Sequence, residues 1–378
     1  VRAVVAALLT LSVLMAPAWA SGEDVQPGEM LWTRAFDSRV TSGVVLSPDG
    51  NPHVTTNSGT LYSFSPNGER KWRFEADVGI ETSPTILPDN TIYLEVTPNW
   101  LVALSENGAV KRRVQTPETL SSSPAIGLNG RLYMKGISKA GYVWAFSAKG
   151  AVEWRKSVYP GASDQAAVGR DGTVYIPAVG RFFALEPNGE TRWKYGDWEN
   201  QDFTQPAISN DDRVYFGSSR GRVHAITSQG DHVWSHETGG AVVRSPTIGP
   251  EGRLYLATWA GTIEAFTRDG ERVWAFQTGE RVYGPPIIGK DENLYVGSRD
   301  GYIYVLNFSG KVEWKMNVGE GIWQPMALSD DGILYFVTQD CTLYALQTGS
   351  EGMMTTPWPT DGHDPRNTGS KRREARNE

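Results

Sequence analysis

The side chains in this sequence that could make or break covalent bonds are few and poorly grouped. Gly217-Ser218-Ser219-Arg220-Gly221 has G-x-S-x-G spacing. A nucleophile elbow needs a strand-to-helix turn, however, and the flanking residues read as strand, turn, strand. His232 and His236 share one face of a strand with only His224 nearby in sequence. Two imidazoles fall short of the three protein ligands of a catalytic zinc centre. Cys341 is the single cysteine, which excludes a zinc-type pair and an intramolecular disulfide. No phosphate-cradling glycine loop and no EF-hand spacing occurs. The expectation is no catalytic and no metal residue. What stands out instead is suited to non-covalent binding: Trp100, Phe203, Arg244, Trp259, Arg281, Tyr283, Arg299 and Trp323. Aromatics with arginine and little lysine form the usual composition of interface hot spots. These residues span most of the chain, so they act together only if the fold gathers them.

The chain has 378 residues, 36 basic against 43 acidic, and a formal charge of −7. That balance excludes a uniformly nucleic-acid-seeking surface. Forty-one Gly, 14 Trp and 15 Tyr, without long Ala/Glu/Lys/Leu runs, indicate β structure with many turns. A single core stops growing at about 250–300 residues. The length therefore requires two domains, or an array of units that pack only on their neighbours.

Internal repetition decides for the array. Tryptophan recurs at 32, 72, 154, 193, 234, 274 and 314, each four residues after a glycine, and Arg112 takes the slot after Gly108. Tyr93, Tyr133, Tyr175, Tyr215, Tyr255, Tyr295 and Tyr335 form a second ladder of the same period, with His53 in its first slot. Each period of about 40 residues reads as four short strands joined by Asn/Asp-Gly-type turns. In one unit these are residues 245–248, 253–257, 262–266 and 271–276. The predicted fold is all-β, an eight-bladed β-propeller of four-stranded antiparallel blades. The first Gly-x-x-x-Trp frame precedes any inner strand, and the last blade lacks an outer one. The N-terminal strand Leu31–Phe36 is therefore expected to complete the last blade and close the ring.

In such a meander the first and third turns of every blade lie on one face of the disc. The second turns and the blade-to-blade crossings lie on the other. The first-turn face reads as short polar turns such as Ser47-Pro48-Asp49-Gly50, whose Asp residues are turn formers. The second-turn face is irregular and holds Trp100, Arg220, Trp259, Arg299 and Asp300 in turns. Its crossings carry Tyr159, Trp198, Phe203, Arg244, Arg281, Tyr283 and Trp323. Arg244, Tyr283 and Trp323 each sit just before an inner strand and are expected to rim the central channel. This face is the expected binding surface.

Residues 1–20 read as a cleaved secretory leader: Arg2, an apolar stretch, then Ala18-Trp19-Ala20. Residues 21–350 form the propeller and 351–378 a C-terminal tail, whose basic stretch Lys371–Arg376 could touch an anionic surface.

The segments Ala184–Trp193 (ALEPNGETRW), Ala265–Trp274 (AFTRDGERVW) and Ala145–Trp154 (AFSAKGAVEW) resemble the tryptophan-docking repeat of the PQQ-like, quinoprotein-type propeller family. Size and eight-bladed plan are similar to that family's lipoprotein scaffold of outer-membrane protein assembly. Ser21 stands, however, where a lipid-attachment cysteine would follow the leader. The resemblance implies an exported, non-catalytic scaffold that binds a protein or peptide partner in the bacterial cell envelope. It would be periplasmic or extracellular, monomeric and without a cofactor. Two alternatives carry over with it. One is a PQQ-dependent dehydrogenase, in which Arg244 or Arg281 meets the quinone's carboxylates and Trp323 stacks on its rings. That reading lacks the adjacent-cysteine pair of the large alcohol dehydrogenases. The other is an extracellular carbohydrate- or surface-binding module.

Overall fold

The computed structural model describes residues 27–370, except 77, 159–164, 197–200, 243 and 361. The expected leader, Tyr159, Trp198 and the basic stretch Lys371–Arg376 lie outside the described residues. Eight four-stranded antiparallel sheets follow one another around a ring, as the two ladders require. The sixth blade shows the plan: Thr247–Ile248, Leu254–Ala257, Thr262–Phe266 and Arg272–Gln277, from channel to rim. Its inner strand is half as long as expected. The inner strand has the same two-residue length where no proline precedes it, as in Val45–Leu46 and Ala167–Val168. The second strand of this blade is buried along its whole length, because each blade is sandwiched between two others. The outer strand alternates between exposed and half-buried positions.

Closure is as expected. Met30–Ala35 pairs antiparallel with Thr342–Gln347, with Trp32 opposite Ala345 and Ala35 opposite Thr342. First and last strands thus share the eighth blade, and Thr342–Gln347 is paired on both sides.

The two ladders prove to be one ladder of pairs. Tyr133, Tyr175, Tyr215 and Tyr255 lie with ring centroids 5.7–6.0 Å from Trp154, Trp193, Trp234 and Trp274 of their own blades. Each indole then reaches into the next blade. The Trp193 N–H donates to the Ser228 carbonyl at 2.8 Å, and Trp234 donates to Arg268 at 2.9 Å. The indole lies against the glycine of the following frame. A Cβ on Gly230, which has φ +89°, would sit 2.6 Å from Trp193 Cδ2. Arg112 substitutes for the donor alone, with its guanidinium 3.3 Å from the Ala148 carbonyl. The seam differs: nothing lies within 4 Å of a Cβ built on Gly28, so Trp314 has no such dock.

The segment from Gly352 to Ser370 crosses the ring on the first-turn side as a strap. It supplies carbonyls to the channel-facing N–H groups of the innermost strands. Leu46, Ile86, Ile126, Val168, Ile248 and Ile288 donate to Pro365, Arg366, Thr368, Gly369, Trp358 and Pro359 at 2.7–3.3 Å. Trp358 is fully buried (0 % exposed) in the core of blades five and six. Asp364 holds the strap's turn together by accepting from Arg366 Nη2 at 2.8 Å and Thr368 Oγ1 at 2.9 Å. Burial alone would raise its pKa. The His363 contact and the Arg366 charge instead hold it down, at about 2.

Candidate binding surface

Four of the expected residues come together where blades six and seven meet on the second-turn face. Trp259 is 47 % exposed at the tip of a turn. The Tyr283 ring lies 6.1 Å from it, and the Arg281 guanidinium sits 5.2 Å from its centroid. The Arg299 backbone N–H donates to the Arg281 carbonyl at 2.9 Å, and its side chain is 3.7 Å from Glu280. The indole is therefore held between a phenol and a cation, with open surface above. A rigid amphipathic aromatic flanked by arginine is suited to anchoring a partner.

Trp323 belongs to a second group, on the crossing into blade eight. The Arg39 guanidinium lies 4.8 Å from its ring, and its Nε1 is buried without an acceptor among the described residues. Arg244 is half-buried on the crossing into blade six and has no ion pair among the described residues. Trp100 is 37 % exposed, but it lies on blade two, across the ring from Trp259. Val78 and Ile137 are likewise exposed apolar residues that the sequence reading did not identify. In the second strand of the same blade as Trp100, Glu95 is buried, and both its oxygens lack partners among the described residues. Burial, and then the nearby Glu81, pushes its pKa up to about 8.

Phe203 is not a surface anchor. It is 1 % exposed, and its ring packs 5.1 Å from Phe216 and 5.7 Å from His224. It was expected on the face because it lies in a crossing, yet that crossing turns it inward to bridge to Ser218. Asp300 also turns inward, accepting from the Gly279 N–H and the Tyr304 hydroxyl at 2.7 Å.

The residues with covalent or metal potential are placed by packing. His224 is stacked on Phe216 at 5.1 Å, and burial pushes its pKa down to about 4. His232 lies over Tyr195 and His236 beside Trp234. Among the described residues, no three His, Cys, Asp or Glu side chains converge to hold a metal ion. Ser218 ends a strand and Ser219 opens a turn, where its Oγ accepts from the Asp202 N–H.

A ring of paired blades, sealed at the seam and bearing an aromatic–arginine cluster on one face, defines a tryptophan-docked eight-bladed propeller. A family model described as outer membrane protein assembly factor BamB matches residues 21–176, 178–284 and 260–353, and the chain belongs to that PQQ-like family. No curated protein matches its sequence. Among solved structures it is similar to BamB from Moraxella catarrhalis. The identity is 18 %, the match covers 85 % of this chain and 99 % of that one, and the TM-score is 0.70. The computationally designed Ika8 protein is similar at 13 % identity, covering 83 % and 98 %, with a TM-score of 0.69. At these identities the two structures speak for the fold.

Proposed function

We propose that this chain is a non-catalytic scaffold of the cell envelope that holds an extended segment of a protein partner against its second-turn face. The observation that carries the reading is Trp259, exposed yet fixed between Tyr283 and Arg281. An ordered aromatic contributes contact area at little entropic cost. Arg281 and Arg299 can pair with the partner's carboxylates or carbonyls. Membership of a family described by outer-membrane protein assembly supports both the envelope location and a protein partner. The quinone reading draws less support, because the strap takes up channel-facing N–H groups in six blades.

The test is a photo-crosslinking amino acid placed at Arg281 and, as a control on the opposite face, at Glu190, in the native envelope. The reading expects one dominant protein adduct from position 281, lost when Trp259 and Tyr283 are both alanine. Equal adducts from the two positions, or an adduct indifferent to the double substitution, would refute it.

A further inference from the structure

We infer that the first-turn face carries a second binding site, for an extended peptide segment bearing lysine or arginine, in the funnel between the strap and blades eight and one. The strap leaves one register position open there. It bonds Ile288 of blade seven through Pro359 and Leu46 of blade one through Pro365, and none of its described residues pairs with blade eight. Leu328 is the equivalent residue of blade eight: it pairs with Leu334 as Leu46 pairs with Pro52. Its channel-facing N–H receives no carbonyl among the described residues. Leu328 lines a cavity of about 1680 Å³ whose apolar wall includes Leu46, Met353, Met354 and Pro357. An unpaired N–H on an apolar wall is suited to a ligand that brings an amide carbonyl and aliphatic surface. That is how an extended peptide adds to a sheet edge.

Charge selects which peptide. Asp49, Asp330 and Asp331 stand at the cavity's rim, and among the described residues neither Asp330 nor Asp331 has an ion pair or side-chain hydrogen bond. The two arginines of the lining are already engaged: Arg366 with Asp364 at 2.8 Å and Arg170 with Asn210 at 3.1 Å. The surroundings reinforce the sign. The connections from first to second strand of the eight blades carry ten carboxylates against Arg131, Arg170, Arg213, Arg253 and Lys290. A field of this kind concentrates cationic segments at the mouth and falls with ionic strength.

The experiment is calorimetric titration of the full chain, at low salt, with acetyl-Ala-Lys-Val-Lys-Ala-amide, its Glu-Val-Glu twin and spermidine. The basic peptide is expected to bind, with affinity falling about tenfold in the D330N/D331N double variant. Both side chains are exposed turn positions, so the variant keeps its fold, which a melting curve checks. The acidic twin is expected not to bind, and spermidine, which has no carbonyl, to bind about tenfold more weakly. Absence of binding by the basic peptide, or equal binding by the double variant, overturns the site. Spermidine matching the peptide overturns the role of Leu328. Trp259→Ala should leave this titration unchanged, so its outcome and that of the crosslinking experiment are independent.

Discussion

His53 stands where seven other blades place tyrosine, and it carries a pH dependence the tyrosines do not. Its ring is buried, with Nδ1 2.8 Å from the Asn51 carbonyl and its centroid 5.5 Å from Trp72. Burial lowers its pKa to about 4, against opposing contacts from Asn51 and Val45. The unfolded chain takes up a proton near pH 6.5, whereas the folded one resists until about 4. The stability contributed by neutral His53 is therefore full above pH 6.5 and is lost as pH falls through that window. At pH 4.5 the loss amounts to roughly 2–3 kcal/mol. His53→Tyr should remove it, so that the melting temperature of the variant falls less between pH 7 and 4.5 than that of the wild type. Parallel profiles for the two proteins would show that His53 is not a source of the acid sensitivity. The substitution in the ladder is visible in the sequence. Its consequence is not, because the pKa depends on the neighbouring blade that buries the ring.

At the scale of the blade, an indole that serves twice explains why the Gly-x-x-x-Trp frame is so regular. Glycine supplies the positive φ of the turn and at the same time the bare surface on which the preceding blade's indole lies. Trp193→Ala should cost roughly 3–5 kcal/mol, through lost burial and a cavity between blades. Trp314→Ala should cost at least about 1 kcal/mol less, since its side chain lacks the glycine dock. Denaturant melts of the two variants check the order, and equal losses would mean that docking adds nothing to burial. The frames, the blade count and the sealed seam were all legible, because each is a local pattern repeated with a fixed period. Phe203 was misplaced for the converse reason. It lies in the crossing between blades four and five, where no repeat indicates which way a side chain turns.

For the whole molecule, the strap and the summed acidity of the first turns were the features least legible in the chain. Pro357–Gly369 has neither strand alternation nor helical period, and its hydrogen-bond partners exist only once the ring has brought the innermost strands together. Each acidic first turn likewise looks like ordinary turn chemistry until the seven of them are summed on one face. The strap's largest anchor is Trp358, and Trp358→Ala should cost roughly 3–5 kcal/mol. Limited proteolysis should then release the C-terminal segment before any blade is cut. If cleavage begins between blades instead, the strap is not the part loosened.

The eighth blade has a consequence in time. Three of its strands are made after the other seven blades, and the fourth before them. A nascent chain therefore waits with one flank unpaired until the strands of the eighth blade arrive. Over that interval residues 30–35 present the kind of exposed β edge that chaperones hold and aggregates recruit.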